Sequence, residues 1–253
     1  MNNEFERLVA RAADPNLIPG IYNYCDGRCP RCRFNERCLS FLENRDLEAR
    51  QDSTDNDETL AEALERSIQR TIAFLKAAAA REGLDLSAAL AADAKASDEA
   101  GDPARHQRDP LVERAQEYAN MTHPVMQALR PVLALRDDAA LIEAAETIAW
   151  FSTRLAPKIC RAITSRVDDA DDPNDRQSDA NGSAKVARVA IAESRRAWEV
   201  LMEAGKATAD GVPAAAVKLL DDIDRRLAER FPLAMEFVRP GFDEPAVAAG
   251  AMT

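Results

Sequence analysis

Aromatic residues, glycine and histidine are scarce in this chain: aromatics make up 5% of its 253 residues, with 9 glycines and 2 histidines. β-Strands favour aromatic and β-branched side chains, whereas the abundant Ala, Leu, Glu and Arg favour helices. The composition therefore predicts an all-α fold. A di-iron helical bundle is disfavoured, because it needs Glu-x-x-His pairs and neither histidine follows a glutamate by three positions.

Long apolar runs and an excess of positive charge are also missing. No run of about eighteen apolar residues occurs, and residues 1–16 lack the basic-then-apolar pattern of a secretory signal. We therefore expect a cytoplasmic protein without a membrane segment. The net charge is −11, whereas proteins that hold nucleic acids through phosphates are generally basic. This balance predicts a protein partner rather than a nucleic acid.

Hydrophobic periodicity divides the chain into a small N-terminal module and a helical body. We predict an N-terminal helix and cysteine module over 1–50, a polar linker at 51–57, an antiparallel helical bundle over 58–232 and an extended tail over 233–253.

Six stretches have the period of a helix: 58–82, a short one near 85–95, 109–135, 138–166, 183–206 and 213–230. Gly83 is placed to end the first of these as a C-terminal cap, and Asp109-Pro110 is a start signal for the third. Five apolar residues share one face of the first helix: Leu60, Leu64, Ile68, Ile72 and Leu75.

The chain has five cysteines, and four of them lie within fourteen residues. Cys25, Cys29, Cys32 and Cys38 have the spacing C-x3-C-x2-C-x5-C. Thiols this close converge with little cost in loop-closure entropy, and in a reducing compartment they serve as ligands or buried thiols rather than as disulfides. We predict that all four bind one metal centre.

The spacing also bears on the identity of the metal. A structural zinc site usually pairs two short CxxC-type motifs across a longer segment. This chain has a single C-x2-C, and Arg33 occupies the position where a zinc knuckle often has glycine. Iron–sulfur clusters are held by cysteines closely spaced on one loop. We therefore favour a 4Fe–4S cluster. The alternative is one Zn²⁺ ion that staples a helical interaction protein without catalysis.

The stretch from Cys29 to Cys38, CPRCRFNERC, resembles the C-x2-C-x5-C end of the cluster loop in the endonuclease III and adenine-glycosylase family. This resemblance implies a 4Fe–4S cluster. It covers residues 25–38 only, and the first gap is three residues where the family has six. The rest of the chain lacks the basic helix–hairpin–helix character of the family, so the resemblance does not imply glycosylase activity.

The first three cysteines also have the C-x3-C-x2-C spacing of radical S-adenosylmethionine enzymes. Those enzymes carry the motif on an α/β barrel, which a strand-poor chain does not supply. A fourth cysteine would also fill the iron that their chemistry leaves open. We reject this interpretation.

Basic and aromatic side chains surround the cysteines. A 4Fe–4S core with four thiolates is anionic and needs nearby positive groups or amide donors. We predict that six residues set the electrostatics of the cluster and shield it from water: Arg28, Arg31, Arg33, Arg37, Tyr24 and Phe34. The arginines could instead form a solvated turn or a docking patch for an acidic partner. Four cysteine ligands leave no iron open, which favours electron transfer, redox sensing or a structural role.

Glu193 is a second candidate site, because it falls within a predicted apolar stripe: Val186, Val189, Ala190, Ala197, Val200 and Ala204. A buried carboxylate needs a cationic partner, or its pKa rises. Candidate partners on the preceding predicted helix are Lys158, Arg161 and Arg154. We interpret Glu193 as a structural ion pair. The alternative is a catalytic acid in a metal-dependent helical-bundle enzyme, with His123 as a possible helper.

The stretch from Asp179 to Lys185 places Gly182 and Ser183 at the predicted start of a helix. Free backbone amides at such a terminus can bind an anion. They can equally be satisfied by capping side chains. We favour the capping role.

Overall fold

A computed structural model describes residues 2–52, 60–86, 88, 108–135, 138–168, 175–205 and 211–243. Within these ranges the fold is all-α, as predicted, with seven α-helices and no β-strand. The helices are α1 (Asn2–Ala12), α2 (Leu39–Asp52), α3 (Leu60–Arg81), α4 (Pro110–Ala134), α5 (Ala139–Asp168), α6 (Asp179–Glu203) and α7 (Val212–Arg230).

Parts of several predicted elements lie outside the described residues. These parts are positions 53–57 of the predicted linker, 58–59 of the first predicted helix, 87 and 89–95 of the short helix, 206 of the helix predicted over 183–206, and 244–253 of the tail. The first two linker positions, Gln51 and Asp52, are the last residues of α2.

The chain divides into two compact units. Unit 1 comprises Met1–Tyr22 and Gly27–Pro103, and unit 2 comprises Asn23–Asp26 and Ala104–Thr253. Helix α3 therefore belongs to unit 1, whereas the predicted bundle began at residue 58. Periodicity shows which face of a helix is apolar and does not show which element packs against it, so the boundary could not be placed from α3 itself.

In unit 1, side-chain contacts join α1 to α2. Arg11 Nη1 lies 2.7 Å from both Glu43 Oε1 and Asp46 Oδ2. Hydrogen bonding to Asp46 and Glu43 raises the pKa of Arg11 against the opposing effect of burial. Leu42 of α2 is buried, together with Leu17 and Ile21 from the segment between the two helices.

Helix α3 ends as predicted. Gly83 has φ of +68°, a left-handed conformation that glycine adopts without strain. Its N–H donates to Ala80 O at 3.3 Å, and Leu84 N–H donates to Ala79 O at 2.8 Å. This pair of bonds is a Schellman motif, which satisfies carbonyl groups at the end of the helix.

In unit 2, helices α4 to α7 form a helical bundle. Asp109 caps α4 by accepting a hydrogen bond from Leu111 N–H at 2.9 Å, with Pro110 at the first helical position, as predicted. Pro124 and Pro131 lie inside α4 without ending it. Pro157 likewise lies inside α5.

Ion pairs show the antiparallel arrangement of neighbouring helices in the bundle. Arg230 at the end of α7 lies 2.7 Å from Asp109 at the start of α4. Along α6 and α7, Arg188 pairs with Asp224 at 2.8 Å, while Arg195 pairs with the earlier residue Asp221 at 3.0 Å. The later residue of α6 thus contacts the earlier residue of α7, so the two helices run in opposite directions.

The core of the bundle is built on two large aromatic side chains. Tyr118 and Trp198 are fully buried, and Trp198 Nε1–H donates to the Tyr118 hydroxyl at 3.1 Å. Burial raises the pKa of Tyr118 despite this hydrogen bond. Fully buried aliphatic residues surround the pair, among them Ile148, Leu155, Ile159, Ile191, Leu201, Leu220, Ile223 and Leu227.

The described part of the predicted tail packs on unit 2. Residues Ala234–Glu236 form a 3-10 helix, and Phe231, Ala234 and Phe237 are buried. Lys185 of α6 holds this segment through the Phe237 carbonyl at 2.5 Å and the Asp243 carboxylate at 2.7 Å. The tail predicted as extended from residue 233 thus contains one short 3-10 turn and buries two of its apolar side chains, those of Ala234 and Phe237.

Candidate metal centre

The backbone around the cysteines is a series of short 3-10 turns at Ile21–Asn23, Cys29–Arg31 and Asn35–Arg37. Cys32 and Cys38 each end one of these turns. Cys32 N–H donates to Cys29 O at 3.1 Å, and Cys38 N–H donates to Asn35 O at 3.1 Å. The C-x2-C part of the motif is thus one closed turn.

Cys32 also receives a hydrogen bond at its sulfur. The backbone N–H of Phe34 points to Cys32 Sγ, with 3.4 Å between nitrogen and sulfur. Hydrogen bonds from backbone N–H groups to ligating sulfur atoms are one feature of metal–thiolate sites. The turn directs one such donor at Cys32.

All five cysteines are present as thiols, and no disulfide joins any pair of them in the described part of the chain. Cys38 is buried, whereas the other four are partly exposed. Among the described residues, no three His, Cys, Asp or Glu side chains form a group that could hold a metal ion. Joint ligation by the four thiols accordingly stays a prediction from their spacing.

The four cysteines belong to different units. Cys29, Cys32 and Cys38 are part of unit 1, whereas Cys25 lies in the short stretch Asn23–Asp26 of unit 2. We call this stretch the anchored segment, because three elements of unit 2 hold it.

Helix α5 binds the backbone of the anchored segment at both ends. Trp150 Nε1–H donates to the Asp26 carbonyl at 2.8 Å, and Lys158 Nζ donates to the Asn23 carbonyl at 2.9 Å. Trp150 and Lys158 are eight residues apart, which separates them by about 12 Å along the helix and about 80° around it. Cys25 lies between the two backbone groups that they bind.

The ring of Tyr24 occupies a slot formed by α6 and the C-terminal segment. Its centroid lies 4.5 Å from that of Phe237, with the rings tilted by 55°. A Cβ atom at Gly182 would lie 2.4 Å from Tyr24 Cε1 and 2.7 Å from Phe237 Cζ. Glycine at position 182 is therefore required by the close approach of these two rings.

The hydroxyl of Tyr24 joins a polar network at the start of α6. It donates to Asp179 Oδ1 at 2.9 Å, and Ser165 Oγ donates to Asp179 Oδ2 at 2.6 Å. Arg161 donates to both oxygens, at 2.9 Å from Nε and 2.5 Å from Nη2. Burial opposes ionisation, but these three donors lower the pKa of Asp179 below its usual value.

Positive charge lies next to Cys25 within unit 2. Lys158 is half-buried, and its pKa is lowered mainly by burial and then by Arg161, while Cys25 and Asp179 act in the opposite direction. One turn away, the Arg154 guanidinium stacks 3.3 Å from the centroid of the Trp150 ring. Arg154, Lys158 and Arg161 were the candidate partners for Glu193. Lys158 and Arg161 instead bind the anchored segment and Asp179.

The four predicted arginines lie in unit 1 with the other cysteines. Arg31, Arg33 and Arg37 are exposed, and Arg28 is partly exposed. The Arg33 guanidinium lies 4.6 Å from the centroid of the Phe34 ring, and Arg37 Nε donates to the Asn16 carbonyl at 2.9 Å. The arginines thus give the cysteine turns a positive surface.

The expected burial of Glu193 was wrong. Its side chain is 45% exposed and pairs with Arg196 on the same helix at 2.5 Å. The buried stripe of α6 passes beside it: Ala187, Ile191, Ser194, Trp198 and Leu201. His123 is also exposed and contacts Gln127 at 2.9 Å. The predicted stripe was shifted because it left out the largest apolar side chains of this helix, those of Ile191, Trp198 and Leu201.

The predicted start of this helix was wrong as well. Helix α6 begins at Asp179, four residues before the predicted start, and Ser178 caps it by accepting from Asn181 N–H at 3.2 Å. Gly182 and Ser183 therefore lie inside the first turns rather than at the cap. Asp179 places a carboxylate in the first turn, at the end of the helix where the backbone dipole favours negative charge.

Comparison with known proteins yields no matching family model, no similar curated protein and no similar solved structure. In the described part of the chain, none of the helices combines the length and the apolar character needed to cross a membrane.

Proposed function

We propose that Cys25, Cys29, Cys32 and Cys38 bind a 4Fe–4S cluster, and that the protein serves in electron transfer or redox sensing or uses the cluster structurally. The observation that carries this proposal is the set of four thiols within fourteen residues. Thiolates are the ligands of iron–sulfur clusters, and closely spaced cysteines are typical of their binding loops.

The local backbone supports this role. The C-x2-C segment is already closed as a 3-10 turn, and Phe34 N–H donates to Cys32 Sγ. Hydrogen bonds to ligating sulfur atoms are one of the means by which proteins tune the reduction potential of a cluster. Because metal binding is coupled to folding, ordering of the remaining turns around the centre would accompany loading.

The charge distribution also favours an anionic centre. Arg28, Arg31, Arg33 and Arg37 give unit 1 a local positive charge in a chain of net charge −11. In unit 2, Lys158 is the cation beside Cys25. When bound, the cluster supplies a one-electron redox couple, and the exposed arginines form a docking patch for an acidic partner protein.

Zinc is the alternative metal. The N–H···S bond to Cys32 suits any anionic thiolate centre, since a zinc tetrathiolate also carries negative charge. In that case the module would be a structural staple of an interaction protein without catalysis. The metal that copurifies with the protein distinguishes the two.

The ligand assignment is tested by replacing each cysteine with serine and measuring bound metal after anaerobic purification. Cys25→Ser, Cys29→Ser, Cys32→Ser and Cys38→Ser should each lose most of the metal and the visible absorbance. Cys160→Ser is the matched control, because this partly exposed thiol lies on α5 outside the motif; it should retain both. Full metal content in any of the four ligand variants would remove that cysteine from the site.

A further inference from the structure

Helix α3 carries an apolar stripe that is largely exposed. The exposed fractions are 59% for Leu64, 50% for Ile68, 38% for Ile72 and 55% for Leu75. These residues are spaced by four, four and three positions, which places them within one narrow face of a helix with 3.6 residues per turn. The stripe is therefore a continuous surface and not a scatter of single apolar residues.

The contact between α3 and α1 uses a different face of α3. The rings of Phe5 and Phe74 lie 6.2 Å apart between centroids. At about 100° per residue, Phe74 points about 120° away from Ile68 around the helix. Helix α1 thus covers the side next to the stripe and leaves the stripe available for a second helix.

A helix of this kind is stabilised by packing. Most helical stability in proteins comes from burial of an amphipathic face rather than from intrinsic propensity. Helix α3 has 22 residues, or a length of about 33 Å. This is long enough for three turns of apolar contact with a partner helix.

The charges that flank the stripe indicate which partner fits. Glu65 and Lys76 lie on the same flank, one in each half of the helix. The opposite flank carries the small uncharged residues Ser67, Thr71 and Ala78. When two identical helices pack antiparallel, a given flank of one helix lies beside the same flank of the other. When they pack parallel, that flank lies beside the other flank of its partner. Only the antiparallel arrangement of two identical helices brings Glu65 to Lys76.

We propose that two copies of this chain associate through α3, stripe against stripe and antiparallel about a two-fold axis. The axis passes between Ile68 and Ile72, so Ile68 of each copy meets Ile72 of the other. Glu65 of each copy then lies beside Lys76 of the other, which forms two equivalent ion pairs. Such an isologous interface closes on itself and gives a dimer.

The apolar contact is tested with the full chain by sedimentation equilibrium over a wide concentration range. Wild type should show a monomer–dimer equilibrium. Ile68→Glu places a charge in the apolar interface between the two α3 helices and should raise the dissociation constant of the dimer about 30-fold or more. Leu135→Glu is the matched control, because Leu135 is 90% exposed at the end of α4; it should behave as wild type. Helix content by circular dichroism verifies that both variants fold.

The pairing and its orientation are tested by mixing two charge variants. Glu65→Lys and Lys76→Glu should each weaken self-association at low salt by a few-fold, on the order of the effect of an exposed ion pair. An equimolar mixture restores both ion pairs between unlike chains, so it should dimerise more tightly than either variant alone. The double variant E65K/K76E should return to the wild-type affinity.

Three results would overturn the proposal. The first is a wild-type chain that stays monomeric at every concentration, and the second is a dimer that Ile68→Glu leaves intact. The third is a mixture of the Glu65→Lys and Lys76→Glu chains that dimerises no more tightly than either variant alone. A monomer would assign the stripe to another partner, and a dimer insensitive to Ile68 would place the interface elsewhere.

Discussion

The first cysteine and the third lie on backbone that is held in two different ways. Cys25 lies in the anchored segment, which binds α5 through two carbonyl groups and fills the slot at Gly182 with Tyr24. Cys32 lies in a turn whose hydrogen bonds join residues two or three positions apart. The position of Cys25 thus depends on the bundle, whereas the turn at Cys32 is specified locally.

This difference implies that substitutions in the bundle affect the backbone at Cys25 and spare the backbone at Cys32, the first and third of the proposed ligands. Segments held by tertiary contacts open together with the structure that holds them, and local turns open by themselves. Four substitutions, taken in order of decreasing effect, test the contrast. Both tryptophans, Trp150 and Trp198, lie in unit 2 and report its unfolding by fluorescence.

Gly182→Ala should have the largest effect. The added methyl group overlaps the rings of Tyr24 and Phe237, so either the slot opens or Tyr24 leaves it. We expect a loss of about 3 kcal/mol in the free energy of unfolding, measured in urea. In a Tyr24→Ala background the same substitution should cost less, because the overlap with Tyr24 is gone and Phe237 can shift into the space that this ring leaves. If the losses in unfolding free energy from Gly182→Ala and Tyr24→Ala simply add in the double variant, the contact between Gly182 and the Tyr24 ring is contradicted.

Asp179→Ala should cost about 2 kcal/mol, since it removes four hydrogen bonds that three side chains donate to the carboxylate and leaves Arg161 without its acidic partner. The network also makes stability depend on pH. Because the folded pKa is lowered, the contribution of Asp179 is fully present above the unfolded value of about 3.9 and is lost as the pH falls through the folded value. Asp179→Asn should show a weaker loss of stability in acid than wild type. An unchanged acid profile would argue against the network.

Trp150→Phe should cost about 1 kcal/mol, because it removes one hydrogen bond and keeps most of the ring. Hydrogen exchange should become faster in the anchored segment and stay unchanged over residues 32–38. Lys158→Met, which removes the bond to the Asn23 carbonyl, should give the same pattern. Faster exchange in both regions would mean that the two parts of the cysteine loop are not held independently.

Arg37→Ala should have the smallest effect. The side chain is exposed and donates one hydrogen bond to the Asn16 carbonyl. We expect less than about 0.5 kcal/mol, as for most surface substitutions. Hydrogen exchange should change near residue 16 and not in the anchored segment. A large loss of unit 2 stability would contradict the local character of the turns.

Capping signals made several parts of the fold predictable. Asp109-Pro110 and Gly83 marked a helix start and a helix end correctly, because each acts through local backbone geometry. Composition was sufficient for the all-α class. The candidate ligands came from spacing alone, which needs no tertiary information.

The remaining features depend on contacts between distant residues. Gly182 was interpreted as part of a cap, and only the approach of Tyr24 and Phe237 shows why glycine stands there. Trp150 and Lys158 were missed as binders of the anchored segment, since backbone carbonyls leave no pattern in the sequence. Glu193 was placed on the wrong face because the predicted stripe was built on small residues and left out Ile191, Trp198 and Leu201.

The main proposal for this chain is that its four cysteines hold a 4Fe–4S cluster. Its most direct test is the iron, sulfide and zinc content of wild-type protein purified without oxygen, together with its visible spectrum. We predict about four iron and four sulfide per chain, with a broad absorption that bleaches on reduction. A colourless protein containing one zinc ion, or no metal, would contradict the claim.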